Sequence, residues 1–121
     1  MVRRARLSPT EEVNLTAAII EALNLLPCCW ARRNNTGKAR GGRFQVGLGR
    51  GGADIICCVG GRFVALEVKR AGGRTLPARA VDQAAWAAQV RAAGGTVVEV
   101  RSVVDALRAV RPVDPWDGVV P

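Results

Sequence analysis

Leu15, Ile19, Leu23 and Leu26 recur at helical spacing behind Ser8-Pro9-Thr10-Glu11-Glu12, and Pro27 ends the run. A capping residue, a proline and early acids in that order start a helix, so the first element is predicted to be helical. The period then changes. CCWARRN reads as short extended pieces, and residues 37 to 52 hold seven of the chain's 14 glycines as a loop or loose hairpin with RFQVGL as a strand. In GGADIICCVGGRFVALEVKR, residues 51 to 70, two apolar runs flank Gly60-Gly61, a pair that suits a two-residue hairpin turn because both positions tolerate positive φ. Residues 79 to 93 are alanine-rich and helical in pattern, closed by Gly94-Gly95. TVVEV is a strand, and Ser102 with Asp105 opens a last short helix over VVDALRAV. The expected architecture is α/β, a mixed sheet flanked by helices in the order α-β-β-β-α-β-α. Residues 1–111 form a single domain, and 112–121 form an extended proline-rich tail whose Trp116 is available to dock on the body or on a partner.

Three charges interrupt the apolar hairpin. Residues facing each other across a two-residue turn have numbers that sum to a constant, so Val59 faces Arg62, Cys58 faces Phe63 and Ile56 faces Ala65. The next pair on that face is Asp54 with Glu67. Two bare carboxylates with Cβ atoms about 5 Å apart repel by about 3–4 kcal/mol at an effective dielectric near 20. Lys69, two residues beyond Glu67 on the same face, reaches the pair and offsets part of that cost. A divalent cation held by Asp54 and Glu67 would offset the rest, and oxygen ligands without imidazole or thiolate favour Mg²⁺ or Mn²⁺ over zinc. A hard cation beside a lysine suits attack of water on a phosphodiester. The plain alternative is a solvated sheet face with a Glu–Lys ion pair and Asp54 as a turn residue.

Charge narrows the partner. The 121 residues carry 18 Lys and Arg against 10 Asp and Glu, a net charge of +8, so a polyanion is the expected partner. Between Glu21 and Asp54 no acid occurs, while Arg32, Arg33, Lys38, Arg40, Arg43 and Arg50 do. This glycine- and arginine-rich segment is expected to track a nucleic-acid backbone by shape more than by base, since aromatic residues are few. Asn34 and Asn35 fit either a turn or a polar contact to phosphate. The four cysteines form two adjacent pairs, Cys28-Cys29 and Cys57-Cys58, and no histidine is present. That argues against zinc and for space-filling thiols in a reduced interior. No signal peptide or membrane span is expected, and a cytoplasmic location follows.

The ordered set of G-x-x-D at Asp54, E-V-K at Glu67 to Lys69, a glycine-rich link and Q-x-x-W at Gln83 resembles the VRR-NUC family. This is a branch of the PD-(D/E)XK nuclease superfamily found in bacteriophage and bacterial replication and repair modules. The resemblance runs from the first helix to about Leu107. It implies a restriction-endonuclease-like core and a Mg²⁺- or Mn²⁺-dependent endodeoxyribonuclease related to Holliday-junction resolvases. The substrate would be DNA, with branched forms included, and the protein a homodimer. It implies Asp54, Glu67 and the backbone carbonyl of Val68 as metal ligands, Lys69 as the catalytic lysine and Gln83 beside the site. It also implies an acid on the first helix. Glu12 shares a face with Leu15, Ile19 and Leu23 and takes that place, with Glu11 as the alternate and a helix-capping role open to both. Gly52-Ala53 stands where many relatives have a proline before the aspartate. A second reading keeps the fold as a nucleic-acid-binding subunit without turnover.

Overall fold

The computed structural model describes residues 9–35, 37–38, 45–70 and 75–111, with side chains described for 14–35, 47–70 and 75–111. Helix α1 spans Pro9–Asn24. Its predicted stripe is real: Ile19 and Leu23 are fully buried, and Leu15 and Leu26 pack at the margin. The chain turns through Pro27 and Cys28 into β1 (Cys29–Arg33), followed by β2 (Gly37–Lys38) and β3 (Gln45–Val46). Next come β4 (Ile55–Val59), β5 (Arg62–Val68), α2 (Pro77–Ala92), β6 (Thr96–Val100) and α3 (Val103–Val110).

Four strands form one sheet in the order β1-β4-β5-β6, while β2 and β3 pair only with each other. β1–β4 and β4–β5 are antiparallel, and β5–β6 is parallel. A parallel neighbour needs a crossover, and α2 supplies it. Alternation splits the sheet into two faces. One carries Ile55, Cys57, Val59, Val64, Leu66, Val68 and Val100 into the core against α1 and α3. The opposite face lies under α2, which contacts β6 and contributes the buried Ala87, with Ala65 fully buried in the sheet.

The α/β class and the mixed sheet flanked by helices are as expected, but the order α-β-β-β-α-β-α is not: among the described residues five strands lie between α1 and α2. β1 is an edge strand with only Cys29 and Ala31 turned inward, too few apolar positions to announce it. Of RFQVGL, Gln45–Val46 is strand, one half of a two-residue pairing, Gly47 and Leu48 are not, and Arg43 and Phe44 lie outside the described residues. α2 begins at Pro77, before residue 79, because a proline in the first turn gives up an N–H that has no helical partner anyway. Ser102 caps α3 as expected, its Oγ accepting from Asp105 N at 3.0 Å.

The edges are closed by side chains. Asn24 Nδ2 donates to Ala31 O at 3.0 Å and Ala31 N donates to Asn24 Oδ1 at 2.9 Å, so one amide stands in for a neighbouring strand along β1. At the other edge Arg91 Nη2 donates to Val97 O at 2.8 Å.

The cysteine reading needs a correction. All four thiols are free, and Cys57 is buried and Cys29 half-buried, but Cys28 and Cys58 are exposed. Neighbours on a strand take opposite faces, so only one of each pair can enter the core. Burial pushes the Cys57 thiol up to about 12, with the nearby Cys29 adding to the rise, so it is an inert, protonated core residue. Among the described residues no helix is long and apolar enough to cross a membrane. The tail 112–121, with Trp116, lies outside the described residues.

Candidate active site

The hairpin has the register that the arithmetic requires, from Val59 opposite Arg62 to Ile55 opposite Leu66. Gly60 and Gly61 have φ of 55° and 81°, as a turn of this type demands. Asp54 stands one residue before β4, and Glu67 is half-buried on the face beneath α2. Asp54 is not left in solvent. Its Oδ2 accepts from Val68 N at 2.7 Å, and its carbonyl accepts from Asn34 N at 2.8 Å at the end of β1.

The segment leading to Asp54 is held from two sides. Leu48 N donates to Asn34 Oδ1 at 3.1 Å, and Asn34 Nδ2 donates to Ala53 O at 3.0 Å. Asn34 therefore has the structural role of the two that the sequence allowed. From α2, Trp86 Nε1 donates to Leu48 O at 2.8 Å. Gly51 has φ of +80°, and a Cβ built there would stand 2.2 Å from Asp82 O. Only glycine lets the loop press against the helix backbone at that point.

Around Glu67 the polar groups form a chain. Gln83 Nε2 donates to Glu67 Oε1 at 3.1 Å, while Lys69 Nζ donates to Gln83 Oε1 at 2.9 Å and to Thr75 Oγ1 at 2.9 Å. Lys69 thus reaches Glu67 through an amide whose oxygen faces the cation and whose nitrogen faces the carboxyl. Among the described residues neither Asp54 nor Glu67 is in an ion pair. Burial first, then the charge of Asp54 and a hydrogen bond to it, push Glu67 up to about 8, against the milder opposing influence of Lys69 and Arg79. Without metal, burial and the neighbouring Asp54 carboxyl therefore favour a proton on Glu67 at neutral pH.

A stability prediction follows from that proton. The folded chain holds it up to about 8, whereas the unfolded chain releases it near the ordinary 4.5. Between those values the unfolded state binds fewer protons, so the stability of the metal-free protein should fall as pH rises through that window. Below it this carboxyl contributes no slope. Glu67→Gln should remove the fall, and denaturant titrations of both proteins at pH 5 and pH 8.5 measure it.

The donor set fits a hard divalent cation. Asp54 and Glu67 face each other, and Val68, whose N–H is directed at Asp54, turns its carbonyl toward the same edge, beyond the last β4–β5 pair. All three are oxygen donors, which suits Mg²⁺ or Mn²⁺. Among the described residues no group of three or more His, Cys, Asp or Glu forms a metal cluster. Glu12 lies in α1, but its side chain, like those of Glu11 and Lys38, is outside the described ones, as are Arg40 and Arg43 altogether.

Arg32 and Arg33 point to opposite faces of β1, so the basic segment does not present one continuous row. Arg50 lies beside Asp82 of α2 at 3.9 Å. Three residues near the pair had escaped the sequence reading. Thr75 fixes Lys69, and Arg79 stands one helical turn before Gln83. Glu99 is the Cα partner of Glu67 on β6 and pairs with Arg101 at 3.2 Å. The signal for Glu99, a lone acid in an apolar strand, was the same one that marked Glu67.

Comparison with protein-family models, with curated proteins and with solved structures finds no match.

Proposed function

We propose that the protein is a Mg²⁺- or Mn²⁺-dependent nuclease that hydrolyses phosphodiester bonds in DNA, branched DNA included, on a core of the PD-(D/E)XK type. The observation that carries this reading is the carboxyl pair of Asp54 and Glu67, brought together from adjacent strands and flanked by a lysine on a fixed amide. A structural ion pair would join Lys69 to Glu67 directly. Here the lysine is held to one side by Gln83 and Thr75, which leaves the pair open to a cation.

Asp54, Glu67 and the Val68 carbonyl would hold the metal, which when bound supplies Lewis-acid polarisation of the phosphoryl oxygen and activation of water. Val68 N fixes one oxygen of Asp54 and so holds that carboxylate in place beside Glu67. Gln83 orients Glu67 and Lys69 at once, and the Lys69 ammonium is placed to bind the attacking water or a non-bridging phosphate oxygen. The net charge of +8 favours approach of a polyanion.

Incubation of labelled four-way junction, duplex and single strand with and without Mg²⁺ or Mn²⁺ tests the reading. Metal-dependent products are expected from at least one of them. No product from any DNA in either metal would end it in favour of a binding subunit without turnover.

Arg79 refines the proposal. It is exposed, it makes no ion pair among the described residues, and its charge acts on Glu67. An arginine so placed suits a phosphate next to the one being cut. Arg79→Ala is expected to raise KM for DNA by about 10-fold, on the scale of one lost charge-assisted contact, with metal affinity unchanged or slightly higher. Steady-state kinetics and a Mn²⁺ titration of the variant check the two parts separately.

A further inference from the structure

The face of the sheet that carries Glu67 is only half covered. α2 contacts β6 and reaches Glu67 of β5 through Gln83, whereas Trp30 of β1, Cys58 of β4 and Phe63 of β5 form a row, paired residue to residue across three strands. Trp30 is 51% exposed and Phe63 39% exposed, and Cys58 between them is exposed too. Arg32, the next residue on that face of β1, sets its guanidinium 4.8 Å from the Trp30 ring centre. That guanidinium is restrained, since Arg32 Nη1 donates to Ala31 O at 2.7 Å.

An exposed aromatic pair on a sheet is costly to leave in water and marks an interaction surface. Its chemistry narrows the occupant. Across β1, β4 and residues 62 to 66 of β5 there is no acidic side chain, and of the three arginines there Arg32 shares the face of the row and stacks on the indole, while Arg33 and Arg62 belong to the other face. Flat aromatic rings two strand spacings apart, about 10 Å, with an arginine plane beside one of them, match unpaired nucleobases on a phosphate backbone. The row is also in line with the proposed site. Glu67 is four residues along β5 from Phe63, about 13 Å at 3.3 Å per residue, which is about four stacked nucleotides.

We infer that Trp30 and Phe63, with Arg32, form a stacking platform for an unpaired strand of the substrate leaving the Asp54–Glu67 site. This rests on the nucleic-acid reading above and changes one part of it: scarcity of aromatic residues had argued for contact by shape more than by base, but two of the few are on the surface in one cross-strand row, one of them beside a cation.

The test is a binding measurement in EDTA, where no cleavage enters. Fluorescence anisotropy compares a labelled single-stranded thymidine oligonucleotide with the same strand carrying abasic sites in place of the bases. Wild type should prefer the base-bearing strand by about 5- to 100-fold, the range for stacking of one base or two. Trp30→Ala and Phe63→Ala should each erase most of that preference, and Trp30→Phe should keep most of it. The salt slope of binding should be the same in all of them, because no phosphate contact is lost. Equal affinity of wild type for the two strands would overturn the inference, and so would a preference that survives Trp30→Ala. A wild-type dimer that Trp30→Ala splits in sedimentation, with no change in strand preference, would give the row to a second copy and also overturn it. Circular dichroism checks that the variants fold; if the alanine variants do not, the abasic comparison and Trp30→Phe still decide. Absence of cleavage in Mg²⁺ or Mn²⁺ would sink the nuclease reading and leave this binding preference standing, so the two failures are distinguishable.

Discussion

Replacing Lys69 by methionine is expected to slow metal-dependent DNA cleavage by about 10²–10³-fold, the usual cost of one electrostatic group aimed at the reacting centre. Methionine keeps most of the stem and removes the ammonium. The loss should fall on kcat, because the acceptors Gln83 Oε1 and Thr75 Oγ1 hold the lysine beside the carboxyl pair, where the proposed reaction uses it. Mn²⁺ binding should survive, since Lys69 is not among the oxygen donors. If Lys69 were only the ion-pair partner of a solvated Glu67, the same variant would change cleavage little. Single-turnover rates at saturating DNA separate the two cases.

Gly51→Ala should be the most damaging small change in the molecule. The new methyl group would overlap the α2 backbone, 2.2 Å from Asp82 O and 2.3 Å from Asp82 C, at a φ of +80° that side chains rarely adopt. Neither backbone can yield cheaply, so a loss of about 2–4 kcal/mol is expected from strain and overpacking together. For a domain of this size that is on the order of 10 °C in Tm. The loop carries Asp54, so Mn²⁺ affinity should drop as well. Gly60→Ala is the control: a Cβ there meets nothing within 4 Å, at a φ of +55°. Its cost should be about 1 kcal/mol, with the site intact. Thermal melts and Mn²⁺ titrations of the two variants make the comparison.

The sequence was readable where its pattern was dense. The Gly60-Gly61 turn leaves one register, so the meeting of Asp54 and Glu67 could be derived from numbering alone. α1 and α3 announced themselves by spacing and caps. β1 did not, because an edge strand closed by Asn24 needs few apolar residues of its own. Thr75 and Arg79 were invisible for another reason. Their position depends on how the link after Lys69 delivers the first turn of α2 to Glu67, and spacing along the chain does not encode that approach. The direct Lys69–Glu67 contact expected from the strand period is an amide bridge instead, since Gln83 reaches down between them.

The central claim is that the Asp54–Glu67 pair is a cation site. Calorimetric titration of Mn²⁺ into the wild-type protein tests it most directly, alongside Asp54→Asn and Glu67→Gln. One binding event per chain is expected in the wild type, tighter as pH rises through about 8 because the Glu67 proton must leave, and none in either variant. Binding of equal strength in all three proteins, or no binding in the wild type at pH 8.5, would contradict it.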